Sequence, residues 1–244
     1  MMEKNQIKEY NLQLRAASPK DILLWSFRTF PYQTAMTTSF QISGTVLMHM
    51  IKDITFDFPI FFIDTVYHFS ETREFKNRLR QEWNLNIHTI LPTVSRKKQN
   101  ERFGSRLYES NPDLCCRLNK QIPLVNLKKE IAVEAWISAL RKHQGESRRS
   151  LQPVMTDADG YARIHPLWNW TWNDIWHYVR KFSLPYHPLY DKGYTSIGCF
   201  PPTCTRKNDI ANGERGGRWK GKNKSECGLH DDLDYEKNEK RNRS

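Results

Sequence analysis

The chain alternates short, dense apolar runs with longer stretches in which apolar residues recur at helical spacing. Thr34 to Phe40, Ile60 to Asp64 and Asn86 to Leu91 read as strands. Between them, Thr45 to Ile51 and Glu71 to Trp83 read as helices. Gln6 to Phe27 carries the apolar stripe of a helix, interrupted near Ser18-Pro19-Lys20, where Pro19 can open a second helix at its first turn. Strands alternating with helices in this way predict parallel βαβ units. Leu118 to Lys129 shows mixed helical spacing, Ala135 to Ala139 reads as the final core strand, and Gln144 to Ser150 as a polar, charged loop. Thr171 to Phe182 is a short helix with an N-cap at Thr171 and Asp174 three positions on. The expected class is α/β, a mostly parallel sheet flanked by helices.

Beyond Leu184 to Pro188 the regular pattern fades. Thr205 to Lys224 holds seven Lys and Arg against two acids, with four glycines, and reads as a mobile basic segment. Asp231 to Ser244 is almost wholly polar or charged. The expected division is therefore an α/β domain over 1–204 and a basic C-terminal segment over 205–244. The whole chain carries 38 Lys and Arg against 27 Asp and Glu, a net charge of +11, which suits a polyanionic partner such as a nucleotide without choosing one. No apolar run approaches the roughly 18 residues of a membrane helix, since Phe58 to Ile63 stops at Asp64. The N-terminus shows no apolar signal segment, and a cytoplasmic location is the expectation.

Several groups could carry chemistry. Ser39-Phe40-Gln41-Ile42-Ser43-Gly44 lies between a strand and a helix, where backbone N–H groups and the helix dipole favour an anion; Ser43 could equally be an ordinary N-cap. The run lacks the pattern of a triphosphate loop. Asp64-Thr65 ends the second strand, the rim where open parallel sheets bind ligands, though Asp64 could instead cap the next turn. His68, between aromatic neighbours, reads as structural. Arg141, Arg148 and Arg149 flank the polar loop and could clamp phosphate or sulfate oxygens, or remain solvated. Trp172 and Trp176 share a helix face and read as core packing.

The five cysteines form no even framework of the secreted kind. Cys115-Cys116 and Cys199-x4-Cys204 together make four thiols, the ligand set of a cubane iron–sulfur cluster or of tetrahedral zinc. Adjacent ligands suit a cubane better, because its ligands are spread over separate irons. Cys227 stands alone near Lys222 and Lys224, beside Gly228, and is either a nucleophile or an exposed thiol.

The order of these pieces resembles the assimilatory adenylyl-sulfate and phosphoadenylyl-sulfate reductases, the thioredoxin-dependent sulfonucleotide reductases. The matching runs are Ser39-Phe40 to Gly44, Ile63 to Thr72, Cys115-Cys116-Arg117, Trp136 to Arg141, Leu184 to Asp191, Gly193 to Cys199 and Glu226-Cys227-Gly228-Leu229-His230. The resemblance implies an adenine-nucleotide α-hydrolase fold and a mobile C-terminal segment carrying the catalytic Cys227. It implies a [4Fe–4S] cluster on Cys115, Cys116, Cys199 and Cys204. Substrate contacts would come from Ser39, Phe40, Ser43, Gly44, Asp64, Thr65, Arg141, Arg148, Arg149, Arg215, Arg218 and His230.

The implied reaction converts adenylyl sulfate to sulfite and AMP through an S-sulfocysteine, which thioredoxin or a similar dithiol protein then reduces. The alternative substrate is phosphoadenylyl sulfate, giving adenosine 3′,5′-bisphosphate. A homo-oligomer is compatible with such an enzyme. Two departures stand out: Cys199 and Cys204 are separated by four residues where cluster-binding relatives usually have two, and the nucleotide loop lacks the acid common in the family. Competing classes are an ATP-dependent nucleotide-activating or tRNA-thiolating enzyme, a nucleic-acid-binding protein and a structural zinc protein.

Overall fold

A computed structural model describes residues 2–200 together with 203, 214, 215, 217–219, 224 and 226–229. The N-terminal helices are α1 (Lys4–Leu14) and α2 (Pro19–Thr29). Ser18 separates them: its side chain accepts from the Asp21 N–H while the Asp21 carboxylate accepts from the Ser18 backbone, and Pro19 fills the first helical position. Five elements alternate next: β1 (Thr34–Thr37), α3 (Ile42–Lys52), β2 (Ile60–Ile63), α4 (Ser70–Glu82) and β3 (Ile87–Ile90). Then come α5 (Arg96–Phe103), α6 (Leu107–Ser110) and α7 (Pro112–Cys116), a π-helical turn at Arg117–Gln121, and α8 (Ile122–Glu130). The chain returns through β4 (Ala135–Ile137), β5 (Val154–Thr156) and β6 (Ala162–Ile164) to α9 (Trp172–Lys181).

Among the described residues the sheet has six strands in the order β3-β2-β1-β4-β6-β5. All neighbouring pairs are parallel except β5 with β6. Strand β4 is therefore not the last of the core, as its apolar run suggests. It is flanked by β6, with Ala135 opposite Ala162 and Ile137 opposite Ile164.

The alternation of side chains along each strand gives the sheet two covered faces. Ile60, Phe62, Met36, Ile137 and Ile164 join α2, α3, α4 and α9 in the larger core. Phe61, Ile63, Ala35 and Trp136 point the other way and pack on Leu124 and Leu127 of α8. Trp172 and Trp176 meet edge-to-face at 5.9 Å and lean on that larger core, as their spacing on α9 predicts. The strand order reverses at β1, whose two neighbours β2 and β4 lead away in opposite directions. A crevice opens at their carboxyl ends, where a parallel sheet receives its ligand.

Candidate active site

A cavity of about 150 Å³ occupies that crevice. Its floor is the loop after β1 (Ser39, Gln41, Ser43, Gly44), with Thr65 and His68 after β2 and Ser138 and Arg141 after β4. Arg148, Arg215, Arg218 and Cys227 close it from the later chain.

The first loop is built by a tight backbone. Phe40 takes a left-handed conformation (φ 56°) and buries its ring against Phe62, so it supports the loop from below and does not line the cavity. The Phe40 N–H donates to Thr38 Oγ1 at 3.2 Å. A Cβ on Gly44 would lie 2.7 Å from that same oxygen, which is why the position is glycine. Gln41, not Ser43, occupies the N-cap position of the helix that follows, without a side-chain cap hydrogen bond. The Ile42 N–H donates to the Tyr190 hydroxyl at 3.1 Å, so one amide of the α3 terminus is already used. Gln41 Oε1 accepts from the Ile197 N–H at 3.0 Å and from Ser196 Oγ, tying this loop to the run that leads to Cys199.

Asp64 is a turn holder. Its Oδ1 accepts from the Val66 N–H at 2.9 Å, and Arg73 Nε donates to Oδ2 at 3.2 Å. Val66 is left-handed (φ 59°), a strained state for a β-branched residue that these contacts hold in place. Burial opposes the Asp64 charge, but Arg73 and the Val66 amide outweigh it and lower the carboxyl. His68 lies half-buried, and desolvation pushes its imidazole down to about 4, so it stands neutral beside the cavity.

The cationic wall comes from residues that a charge pattern alone would place in solvent. Arg141 is fully buried (0% exposed); it donates from Nε to Ser43 Oγ at 3.0 Å and from Nη1 to the Trp170 carbonyl at 3.3 Å. The same guanidinium forks onto Glu214. Arg148, also buried, forks onto Glu226 at 2.8 and 2.9 Å, and Arg215 reaches the same carboxylate at 3.1 Å. Arg218 crosses Gly198 so closely that a Cβ there would lie 2.1 Å from its Nη2. Arg149 stands apart, exposed and paired with Glu146, and does not line the cavity. His230 lies outside the described residues.

A smaller cavity adjoins the first and is lined by Cys115, Cys116 and Cys199. Thr65, Lys120 and Cys199 line both. Thr65 Oγ1 is 3.1 Å from Cys199 Sγ, Asn119 Nδ2 donates to Cys115 Sγ at 3.7 Å, and Lys120 Nζ donates to Cys116 Sγ at 3.9 Å. Among the described residues no three His, Cys, Asp or Glu converge on one metal ion, and Cys204 lies outside them. Burial, then the Cys116 and Cys199 sulfurs, push the Cys115 thiol up to about 11.

Lys120 is buried too, and burial works against its charge. The Cys199, Cys227 and Cys116 sulfurs prevail and hold it protonated above the usual lysine range. The Cys227 thiol, which also faces the larger cavity, shifts in the opposite direction. Burial would raise Cys227, but Lys120, the Leu229 N–H and Arg215 outweigh it and lower the thiol below its ordinary value.

Sequence reasoning missed Lys120, Gln41, Tyr190 and the two acids Glu214 and Glu226. Only Lys120 left a local signal, four positions after Cys116 and so on the same helical face.

Comparison with known proteins agrees with this geometry. The phosphoadenosine phosphosulfate reductase domain family matches residues 33–207. A relative from Halalkalibacterium halodurans, adenosine 5′-phosphosulfate reductase, is 39% identical over 227 residues, covering 92% of this chain and 96% of its own. The crystal structure of a phosphoadenylyl-sulfate reductase from Candida auris, a phosphate complex, superposes with a TM-score of 0.74 at 31% identity, covering 82% of this chain and 97% of that one. FMN adenylyltransferase of Candida glabrata shares the fold alone, with a TM-score of 0.59 at 18% identity over 85% of this chain and 70% of its own. The architecture is that of the adenine-nucleotide α-hydrolases. Among the described residues no helix is long and apolar enough to cross a membrane. The chain belongs to the phosphoadenosine phosphosulfate reductase domain family, and it is a sulfonucleotide reductase.

Proposed function

We propose that the protein reduces adenylyl sulfate to sulfite and AMP, with Cys227 as nucleophile. The observation that carries this reading is the position of Cys227 on the nucleotide cavity, its thiol lowered and faced by Lys120 and the arginine wall. The Cys227 thiolate attacks the sulfuryl sulfur, the S–O bond to the nucleotide phosphate breaks, and its electron pair leaves on AMP. Lys120 and Arg218 face the negative charge that shifts during this transfer. The product is S-sulfocysteine. A thiolate of a dithiol protein of the thioredoxin kind then attacks Cys227 Sγ and expels sulfite. The second thiol of that protein resolves the mixed disulfide and frees Cys227. For this step the 226–229 segment must leave the cavity, which assigns the chain's C-terminal part the role of a movable catalytic segment. A reducing cytoplasm suits such a cycle.

Charge favours the unphosphorylated nucleotide. Among the described residues, five cations at the cavity (Lys120, Arg141, Arg148, Arg215, Arg218) face Glu214 and Glu226, and the Cys227 thiol, lowered by its neighbours, adds a third negative charge once it ionises for attack. The surplus is two positive charges, equal and opposite to the charge of adenylyl sulfate. Phosphoadenylyl sulfate brings a further phosphate, and among the described residues no additional cation lines the cavity to meet it. The name of the Halalkalibacterium relative points the same way.

The thiols of the smaller cavity fit a [4Fe–4S] cluster. Their chemistry is all sulfur, Asn119 and Lys120 supply donors to those sulfurs, and a thiol raised by burial and then by neighbouring sulfurs, as Cys115 is, is one an iron centre would deprotonate. Cys115, Cys116 and Cys199 would hold it with Cys204, and when bound it would supply a fixed charge distribution beside the nucleotide. Lys120, shared by both cavities, holds its proton between those sulfurs and Cys227.

The test is mass spectrometry of anaerobically purified protein mixed with adenylyl sulfate before any reductant. The expected result is an added SO₃ on the peptide containing Cys227, absent in Cys227→Ser together with sulfite release. Mapping to another cysteine, or turnover by Cys227→Ser, overturns the assignment. Faster sulfite release from phosphoadenylyl sulfate overturns the substrate choice alone.

A further inference from the structure

The residue before Cys227 is held more firmly than any other acid at the site. Glu226 has a side-chain exposure of 8%, and its Oε1 accepts from Arg148 Nε at 2.8 Å and from Ser147 Oγ at 3.0 Å. Its Oε2 accepts from Arg148 Nη2 at 2.9 Å and from Arg215 Nη2 at 3.1 Å. Burial opposes this charge, yet Arg148 and Arg215 prevail and hold the carboxyl down at about 2. Arg148 is itself fixed, since its Nη1 donates to Gln144 Oε1.

These partners belong to two parts of the chain. Ser147 and Arg148 sit in a short 3-10 turn after β4, on the α/β body, 78 residues before Glu226 in the case of Arg148. Arg215 belongs to the basic stretch. On the far side of Cys227, Leu229 packs against the smaller core face formed by Ala35, Phe61 and Trp136. Lys224 lies over the Trp219 ring at 5.6 Å and pairs with Asp113, whose side chain is 82% exposed, and an ion pair of that kind contributes little. The thiol is therefore seated between an apolar contact and a forked, buried ion pair.

We propose that Glu226 is a positioning residue for Cys227, and that its fork with Arg148 is the latch that seats the thiol in the nucleotide cavity. The proposal rests on the reading of Cys227 as nucleophile. A planar guanidinium paired with a planar carboxylate fixes direction as well as distance, so the residue next to the thiol is held in two dimensions. The same pair opens as a unit when the segment leaves the cavity, because both of its strongest bonds run between the body and the segment. Arg148 then serves the segment through Glu226, and direct nucleotide contact falls to Arg218, which has no carboxylate partner among the described residues.

The experiment measures alkylation of Cys227 by iodoacetamide in the anaerobic, full-length holoprotein, resolved peptide by peptide. The variants are Glu226→Gln, which keeps shape and loses charge, and Glu226→Asp, which keeps charge. The expected result is alkylation of the Cys227 peptide about tenfold faster in E226Q, with E226D between it and the parent. AMP affinity should stay within about threefold, while the single-turnover rate of S-sulfocysteine formation falls about tenfold in E226Q. An unchanged alkylation rate in E226Q overturns the latch. Loss of cooperative melting in E226Q also overturns it, because Glu226 would then be an anchor of the whole body. Turnover by Cys227→Ser would remove the nucleophile reading while leaving the alkylation result to stand or fall separately.

Discussion

Replacing Arg141 by alanine strands a carboxylate and two neutral acceptors at once. The guanidinium is fully buried and spends its donors on Ser43 Oγ at 3.0 Å, the Trp170 carbonyl at 3.3 Å, and both oxygens of Glu214. Glu214 has a side-chain exposure of 14%, so water repays only part of what it loses. Breaking a buried pair by removing one partner costs up to about 3–5 kcal/mol. With water reaching part of Glu214 the stranded carboxylate accounts for about 1–3 kcal/mol, and each of the two neutral acceptors left unpaired adds about 1 kcal/mol. Arg141→Ala should therefore lose about 3–5 kcal/mol in urea unfolding at pH 7. A domain of this size is stable by about 5–15 kcal/mol, so the loss is measurable and can be large enough to unfold the variant.

The double variant Arg141→Ala with Glu214→Gln separates the terms. Once the stranded charge is neutralised, about 1–3 kcal/mol should return, leaving the cost of the two neutral acceptors. Arg141→Lys, which keeps the charge and cannot fork, should fall between parent and alanine. The refuting result is a loss below about 1 kcal/mol in Arg141→Ala, which is what a solvated arginine would give. A double variant no better than the single one would refute the assignment of the cost to Glu214.

Two further changes probe the floor and the rim. Gly44→Ala should push Thr38 Oγ1 aside and cost the Phe40 N–H its acceptor, since the new Cβ would lie 2.7 Å from that oxygen. The lost bond and the gain in helix propensity are each about 1 kcal/mol, so melting should change little while AMP affinity falls about fivefold or more by calorimetry; unchanged affinity refutes it. His187 is fully buried, and desolvation pushes it down to about 4, with Nδ1 accepting from the Leu189 N–H and Nε2 beside Thr72 Oγ1. Its folded value lies below the unfolded one, so the unfolded chain takes the proton first as pH falls. Stability should drop by up to about 1.4 kcal/mol per pH unit from about pH 6.5 towards 4, then level off, and His187→Asn should lose that slope; equal slopes refute it.

How much of this was legible in the residues follows from the range of the interactions. The strands β1 to β4 and helices α2, α3, α4 and α9 announce themselves through apolar runs, periodicity and local caps such as Thr171 with Asp174. Strands β5 and β6 do not. Each is three residues long, and β6 carries Arg163 at its centre, buried beside Asp157. A charged residue there breaks the apolar pattern, and its partner is visible only in the fold. The loop after β1 lies between strand and helix as its residues suggest, while the contacts made there and after β2 depend on the fold. Phe40 and Asp64 hold backbone turns, and Gln41, which looks unremarkable in the sequence, joins two loops.

The site shows the same division more sharply. Each cysteine could be singled out by type and spacing, because a thiol is rare and its chemistry is intrinsic. The arginines could not be ranked, because burial and partners decide what a guanidinium does. Arg148 and Arg149 are adjacent and chemically identical, but one is buried on Glu226 and the other exposed on Glu146. The difference arises from residues that lie 78 positions away in the first case and three in the second. For Arg149 the local pair leaves the charge on the surface, whereas for Arg148 the pair across the chain lies inside and ties two segments together. The buried forks Arg148–Glu226 and Arg141–Glu214 run between the α/β body and the stretch around Cys227, so the electrostatics that build the cavity also attach that thiol to it.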